Sequence, residues 1–202
     1  MANNFAPFGF SQISGLGSSP TYEQIAGFAA YNAGAMYFGD PITRNTSDGS
    51  LIPVASTAPV TAILAGVFVG CKYLSVSQKK TVWGNYWPGS DVASGNTVEV
   101  YYINDPNARF LVQVGGSTTV GITAAYIGFN CQYLYGTPNT ASGLSGAYID
   151  ETQTPTTTAT WPFKIVNTFT AGAPGSNGTS VGAYNYLIVG FNNVETKTLT
   201  GQ

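Results

Sequence analysis

The chain has 202 residues, of which only 8% are charged, 44% hydrophobic and 13% aromatic; an average soluble domain carries roughly 25% charged residues, so this one is built for packing beneath a weakly charged surface. It contains no histidine, which removes the usual general base near neutral pH, the commonest metal ligand and most proton shuttles together. The formal charge of -2, the pI near 4.8 and seven scattered Lys and Arg residues supply no convergent cations for phosphates, so no nucleic-acid partner is expected.

From Met1 to Pro20 the chain has no charge and no period, yet it holds Phe5, Pro7, Phe8 and Phe10. Disordered tails are poor in aromatics. Residues 1–21 therefore read as an irregular arm that gains order by lying on another surface, with Phe5, Pro7, Phe8 and Phe10 as its contacts. The remainder, residues 22–202, reads as a single β-rich domain. Its strands are expected at Tyr22–Ala29, Ala35–Gly39, Leu51–Ala55, Thr61–Val69, Thr81–Tyr86, Thr97–Ile103, Arg109–Val114, Tyr126–Tyr135, Trp161–Phe169 and Tyr184–Phe191. Gly39-Asp40-Pro41, Ser47-Asp48-Gly49 and Trp87-Pro88-Gly89 are turn signals.

The clearest pattern is central. Val98, Val100 and Tyr102 share one face, Asn104 to Ala108 turns, and Phe110, Val112 and Val114 share a face on the return. That period of two fits an antiparallel hairpin. Further on, Gly136–Gly146 and Thr170–Gly182 read as surface loops. The Thr- and Pro-rich Thr152–Thr160 reads as a crossing segment or edge, because Pro155 has no amide hydrogen for a central ladder. No segment has caps and a helical stripe; Tyr22–Asn32 comes nearest, with Gly27 against it. The expected fold is all-β: an antiparallel barrel or sandwich of about ten strands with an irregular N-terminal arm.

A chain of this length buries enough surface to fold without a disulfide or metal. Cys71 and Cys131 lie in apolar, strand-like segments and read as buried free thiols. The start, Met1 to Phe5, lacks the basic and apolar blocks of a signal peptide, and the uncharged stretch Val60–Cys71 is too short to span a membrane. Synthesis and assembly in a cytoplasm are expected, with no membrane partner, and the sequons at Asn45 and Asn177 then carry little weight.

Chemistry is sparse. Asp150-Glu151 is the one adjacent carboxylate pair, and neighbours on a strand point to opposite faces, unlike the facing carboxylates of a glycosidase. No nucleophile elbow, phosphate loop, dinucleotide fingerprint or CxxC occurs. The composition points to a binding protein rather than an enzyme, with no catalytic residue, cofactor or metal expected. Trp83, Tyr86 and Trp87 form the densest aromatic cluster, read as core or protein interface, with a sugar-stacking platform as the alternative.

The order of several motifs resembles a known family. Pro7-Phe8-Gly9-Phe10 is followed by Phe38-Gly39-Asp40-Pro41-Ile42, then by Gly66-Val67-Phe68-Val69-Gly70. Val100-Tyr101-Tyr102-Ile103-Asn104-Asp105-Pro106 and Phe110-Leu111-Val112-Gln113-Val114 come next, then Ser142-Gly143-Leu144-Ser145-Gly146 with Asp150, and a close in Asn192-Asn193. This is similar to a family of tailed-bacteriophage virion proteins that decorate or cement the head. The resemblance implies a structural protein on the outer surface of the capsid, assembled in the host cytoplasm, that clamps neighbouring major capsid protein subunits. It also implies self-association, as a homotrimer or alternatively a dimer. Ser11-Gln12-Ile13 stands where the family often has basic residues, so charged anchoring by the arm is not expected. The alternative function is a glycan-binding module displayed on the virion, anchored by Trp83, Tyr86 and Trp87.

Overall fold

Period-two burial separates the strands of this chain into two sheets, each wrapped around its own apolar core. A computed structural model describes residues 3–14, 24–54, 63–116, 121–169 and 182–198. In chain order the strands are β1 (Ser11–Ser14), β2 (Ile25–Ala30), β3 (Met36–Tyr37), β4 (Pro41–Arg44), β5 (Leu51–Pro53), β6 (Gly66–Leu74), β7 (Thr81–Gly84) and β8 (Tyr86–Trp87). They continue as β9 (Thr97–Ile103), β10 (Arg109–Gly115), β11 (Asn130–Cys131), β12 (Tyr133–Tyr135), β13 (Ala147–Asp150), β14 (Phe163–Phe169) and β15 (Tyr186–Phe191). Among the described residues the only helical element is a 3-10 turn at Ala124–Tyr126. The all-β class is as the sequence leads one to expect.

The first sheet runs β11-β14-β15-β10-β13-β12. Its two end strands, β11 and β12, are consecutive in the chain with only Gln132 between them. The path therefore returns to its own start, and the sheet is barrel-like. The seam is a short parallel contact, Val114↔Ile149 and Gly115↔Asp150. The start of that edge of β10 is taken by β1, through Ser11↔Leu111 and Gln12↔Phe110. Inside lie Phe110, Tyr133, Phe163, Leu187, Val189 and Phe191, all buried. The second sheet runs β2-β9-β6-β4-β5, with β7 on the other half of β6. Its core gathers Met36, Leu51, Phe68, Trp87, Val98, Val100 and Tyr102. The region read as one β-rich domain from residue 22 thus carries two cores.

The two are joined at several points. Val67 on β6 and Ile103 on β9, with Val54 just after β5 and Leu64 just before β6, pack into the barrel core. Arg44 Nε reaches Glu195 at 2.9 Å, fixing the segment after β15 to β4, and Leu64 N–H donates to the Asn193 carbonyl at 3.1 Å.

Two expectations change. The arm is not waiting for another molecule: its described part, residues 3–14, lies on the chain's own barrel, and Phe10 is 1% exposed inside it. The central hairpin does not form either. The turn is present, with Asn107 N–H donating to Asp105 Oδ1 at 2.8 Å and Ala108 N–H to the Asp105 carbonyl at 3.0 Å. However, β9 pairs with β2 and β6, while β10 pairs with β15 and β1. The turn hands the chain from one sheet to the other. Alternation specifies which face is buried, and both faces are as expected; it does not specify the neighbouring strand. Residues 15–21 of the arm, and the loop at Thr170–Gly182 apart from Gly182, lie outside the described residues.

Candidate functional site

The outward face of the second sheet carries a cross-strand row of long side chains. Register aligns Phe28 on β2 with Glu99 on β9, Glu99 with Lys72 on β6, and Lys72 with Trp83 on β7. Lys72 Nζ is 3.2 Å from Glu99 Oε2 and 4.9 Å from the centre of the Trp83 ring. The ammonium thus links a carboxylate to an indole, the arrangement expected of a cation–π contact. Tyr101 lies parallel to Trp83, with an interplanar angle of 6° and centroids 6.0 Å apart. Hydrogen bonds from Tyr101 and then Lys72 hold the Glu99 carboxyl below its usual range. Despite these contacts Trp83 is 66% exposed and Phe28 42%. Leu74 and Val76, just beyond the row, are also exposed.

Two depressions flank the row. One, of about 320 Å³, is lined by Trp83, Tyr101, Gln24 and Asn85. The other, of about 460 Å³, is lined by Phe28, Lys72, Glu99 and Thr81 among others. Chemically, this face offers flat apolar rings, one ion pair and amide side chains at the rim.

The aromatic trio read from the sequence is dispersed. Trp83 belongs to this face. Trp87 is fully buried in the second core, where its Nε1–H donates to the Ala33 carbonyl at 3.1 Å. Tyr86 stacks on Tyr37 at 5.8 Å across the β3–β8 ribbon. Trp83 and Trp87 are four residues apart and would share a face in one strand. A bend at Asn85 splits that strand into β7 and β8 and separates them. The partners that Trp83 does have, Tyr101 and Lys72, were not among the residues singled out. Their signal was present in the alternation Glu99, Tyr101 and Lys72, Leu74, which marks the face opposite the core.

The arm residues divide as well. Phe10 fills the barrel, stacked on Phe163 at 4.2 Å and edge-on to Tyr133 at 5.7 Å. Phe8 packs edge-on against Tyr186 at 5.6 Å, and Phe5 meets Tyr148 and Tyr184 at 5.2 Å each. Pro7 is half-buried between them. The clamp is Gln113, a buried side chain on β10. Its Oε1 accepts the Ala6 N–H at 2.9 Å, and its Nε2 donates to the Asn4 carbonyl at 2.7 Å. One amide thus satisfies the arm's backbone as a strand neighbour does. Gly9, at φ +78°, turns the arm inward where an added Cβ would sit 2.5 Å from Ser145 Cβ.

Beneath that turn lies the one strongly perturbed carboxyl among the described residues. Asp40 is buried and accepts hydrogen bonds from Ser145 Oγ at 2.5 Å and from the Tyr37 N–H at 2.7 Å. Burial raises its pKa to about 6, outweighing those two hydrogen bonds. Ser145 Oγ in turn accepts the Ala147 N–H at 2.9 Å. Ser145 is therefore fully engaged, and the pair joins the loop before β4 to the loop before β13. An adjoining cavity of about 380 Å³ is lined by Asp40, Tyr37, Pro53, Tyr135 and Pro138.

Both cysteines are buried free thiols, one in each core. Burial pushes the Cys71 thiol up to about 12, and Cys131 higher still. Among the described residues no group of three His, Cys, Asp or Glu is placed to hold a metal ion, and no helix is long and apolar enough to cross a membrane. Comparison with protein-family models, with curated proteins and with solved structures finds no match to this chain.

Proposed function

We propose that this chain is a structural, non-enzymatic virion protein. It binds the outer surface of an assembled tailed-bacteriophage head and cements neighbouring major capsid protein subunits, working as a homotrimer or a comparable small cluster. The observation that carries this reading is the exposed row Phe28–Glu99–Lys72–Trp83 on the second sheet. Apolar rings around a single ion pair, on a molecule with little net charge, suit close packing against other protein without like-charge repulsion. The motif order that resembles head-decoration proteins supplies the partner. The arm is no longer the anchor in this reading, because Phe8 and Phe10 are occupied by the barrel.

The test compares heads with and without the protein under heat or low-salt stress. Decorated heads are expected to keep their contents under conditions that empty bare ones, and equal survival would sink the reading. Combined Phe28→Ala and Trp83→Ala substitutions should leave the fold intact, since both rings are exposed, while lowering copy number on the head. A second reading, glycan binding at the same face, is favoured by the exposure of Trp83 beside Tyr101, Gln24 and Asn85. Saccharides that shift Trp83 fluorescence, with loss of the shift in Trp83→Ala, would support it over the first.

A further inference from the structure

The hairpin of β6 and β7 carries the most exposed large apolar side chains among the described residues. They are Trp83 at 66%, Leu74 at 58% and Val76 at 56%. The same stretch holds Lys72, Lys79 and Lys80, three of the chain's seven basic residues. Lys72 is paired with Glu99 and lies over the Trp83 ring. Lys79 and Lys80 are exposed at the turn, and among the described residues neither side chain makes an ion pair or a hydrogen bond. The turn that presents them is fixed from within. The register runs Lys72↔Trp83, Tyr73↔Val82 and Leu74↔Thr81, and Ser75 N–H donates to the Lys80 carbonyl at 2.9 Å. Asp91 braces the tip. Its carboxylate accepts from Ser75 Oγ at 2.6 Å and from Ser77 N–H at 2.8 Å, and its carbonyl accepts from Val76 N–H at 2.9 Å. Hydrogen bonds from Ser75 and then Ser77 hold the Asp91 carboxyl below its usual range. The tip therefore has its shape before any partner arrives, which lowers the ordering cost of docking.

Two residues of this tip other than glycine have a positive φ, Asp91 at +100° and Lys79 at +54°. That conformation is unfavourable for most side chains. The hydrogen bonds Asp91 makes to the turn offset its strain. Lys79 has no contact within the described chain that does the same. A cation held at an exposed tip, in a backbone conformation that disfavours it, is in position for a group outside the molecule. The surroundings indicate which kind. Exposed Leu74, Val76 and Trp83 beside two unpaired ammonium groups are complemented by a protein surface that is apolar at its centre and acidic at its rim. A nucleic-acid backbone is a poorer complement, because two free cations are too few to neutralise a run of phosphates.

We infer that the tip of the β6–β7 hairpin docks on a protein partner through Leu74, Val76 and Trp83, with Lys79 and Lys80 pairing with partner carboxylates. Resting on the reading above, that partner is a major capsid protein subunit, and the contact patch on it is acidic. The direct test treats decorated heads with a water-soluble carbodiimide, which joins amines to carboxylates in contact with them, and maps the products by mass spectrometry. Amide links are expected from Lys79 and Lys80 to Asp or Glu of the major capsid protein. Lys164, exposed on β14 in the other sheet, is the control and is expected to give none. No link from Lys79 or Lys80, links to a second copy of this chain alone, or links from Lys164 as abundant as those from the tip overturns the inference.

The second arm measures attachment. Lys79→Asn combined with Lys80→Gln is expected to bind heads roughly tenfold more weakly, with a shallower dependence on salt. Lys164→Gln, which also removes a surface cation, should bind as the native protein does. Lys79→Asn alone should be at least as stable as the native protein, because Asn adopts a positive φ more readily than Lys. A clear loss of stability in that variant would mark Lys79 as a structural residue and overturn its part in docking. Native protein that attaches to heads alongside an equally tight double variant overturns the acidic contact while leaving decoration standing. Native protein that does not attach to heads refutes decoration and this partner with it. Sedimentation with vesicles of phosphatidylcholine and phosphatidylglycerol in that case would assign the tip to a lipid surface instead.

Discussion

Asp40 shows how one side chain ties the two halves together and responds to pH. Its neutral form is favoured by burial, so its pKa in the folded state, about 6, lies above the ordinary 3.8. A carboxyl raised in this way contributes full stability below the unfolded value. The contribution falls as pH rises through the window from about 4 to about 6 and is absent above it. At 1.36 kcal/mol per unit, the difference amounts to about 3 kcal/mol. Asp40→Asn keeps the side-chain shape, replaces one accepting oxygen by an amide donor, and does not titrate. The stability advantage of native protein over Asp40→Asn is therefore expected to be larger at pH 4 than at pH 7, by up to about 3 kcal/mol. Denaturant midpoints at several pH values measure this, and a difference that stays flat with pH would contradict it. The thiols make the opposite prediction. With Cys71 raised to about 12 and Cys131 higher, both by burial, neither is expected to react with a thiol reagent at pH 8 in the folded state. Both should react after unfolding. Rapid labelling of native protein would show that one core opens.

At the scale of elements, the arm and its groove form one unit. The strand β1 covers Arg109–Leu111 of the β10 edge, beyond the short β13 contact at Val114 and Gly115, and Phe10 occupies the space behind it. Removing residues 2–14 therefore exposes an unpaired strand edge and empties a ring-sized volume in the barrel. Phe10→Ala alone is expected to cost about 3–5 kcal/mol, the range for a buried phenylalanine. Gln113→Leu should release Asn4–Ala6 while leaving Phe10 seated, which hydrogen exchange at the Ala6 amide would register. Truncation with no loss of stability would mean that the arm merely rests on the surface. The sequence revealed this element only in part. The aromatics of the arm and its lack of period were visible, and both rightly suggested that it lies on a surface. Nothing local specified that the surface was its own barrel, because the groove is assembled from β10, β13 and β15, which are far apart in sequence. The same limit applies to the central turn. Phe110, Val112 and Val114 announced an inward face, whereas the choice of β15 over β9 as neighbour depends on which sheet closes. The Trp83 face was half legible: alternation placed Glu99 and Tyr101 opposite the core, but the bend at Asn85 that parts Trp83 from Trp87 leaves no local signal.

For the whole molecule, the question is whether two cores mean two independently folding parts. The chain passes between the sheets after β1 and again through the short Asn104–Ala108 turn, and the noncovalent links are of three kinds. Val67 and Ile103 of the second sheet, with Val54 and Leu64 from the segments beside β5 and β6, are buried in the barrel cluster. Asp40 and Ser145 share a buried hydrogen bond across the boundary, and Arg44 bridges to Glu195 while its Nη2 donates to the Tyr102 hydroxyl at 2.9 Å. Burying four apolar side chains is worth roughly 1.5–3 kcal/mol each, which is comparable with the net stability of a small domain. Losing that burial would cost either half about as much as its net stability, so a single cooperative transition is expected. The reporters are well placed to check it. Trp87 is buried in the second core, and Tyr133 and Phe163 in the barrel. Tryptophan emission of a Trp161→Phe variant, which follows the second sheet because Trp161 beside β14 is removed, should coincide with far-UV ellipticity throughout denaturation, and the calorimetric and van't Hoff enthalpies should agree. A pair of cuts at the boundary, Asp40→Ala with Val67→Ala, is expected to weaken both halves together before it uncouples them. Two separated transitions in the native protein would instead show that each sheet folds alone, and that the contacts at Leu64, Asp40 and Arg44 only dock finished parts. The outcome matters for the proposed attachment to a capsid. The Trp83 face lies on the second sheet alone, so in that reading a load applied there passes into the barrel only if the two cores stand or fall together.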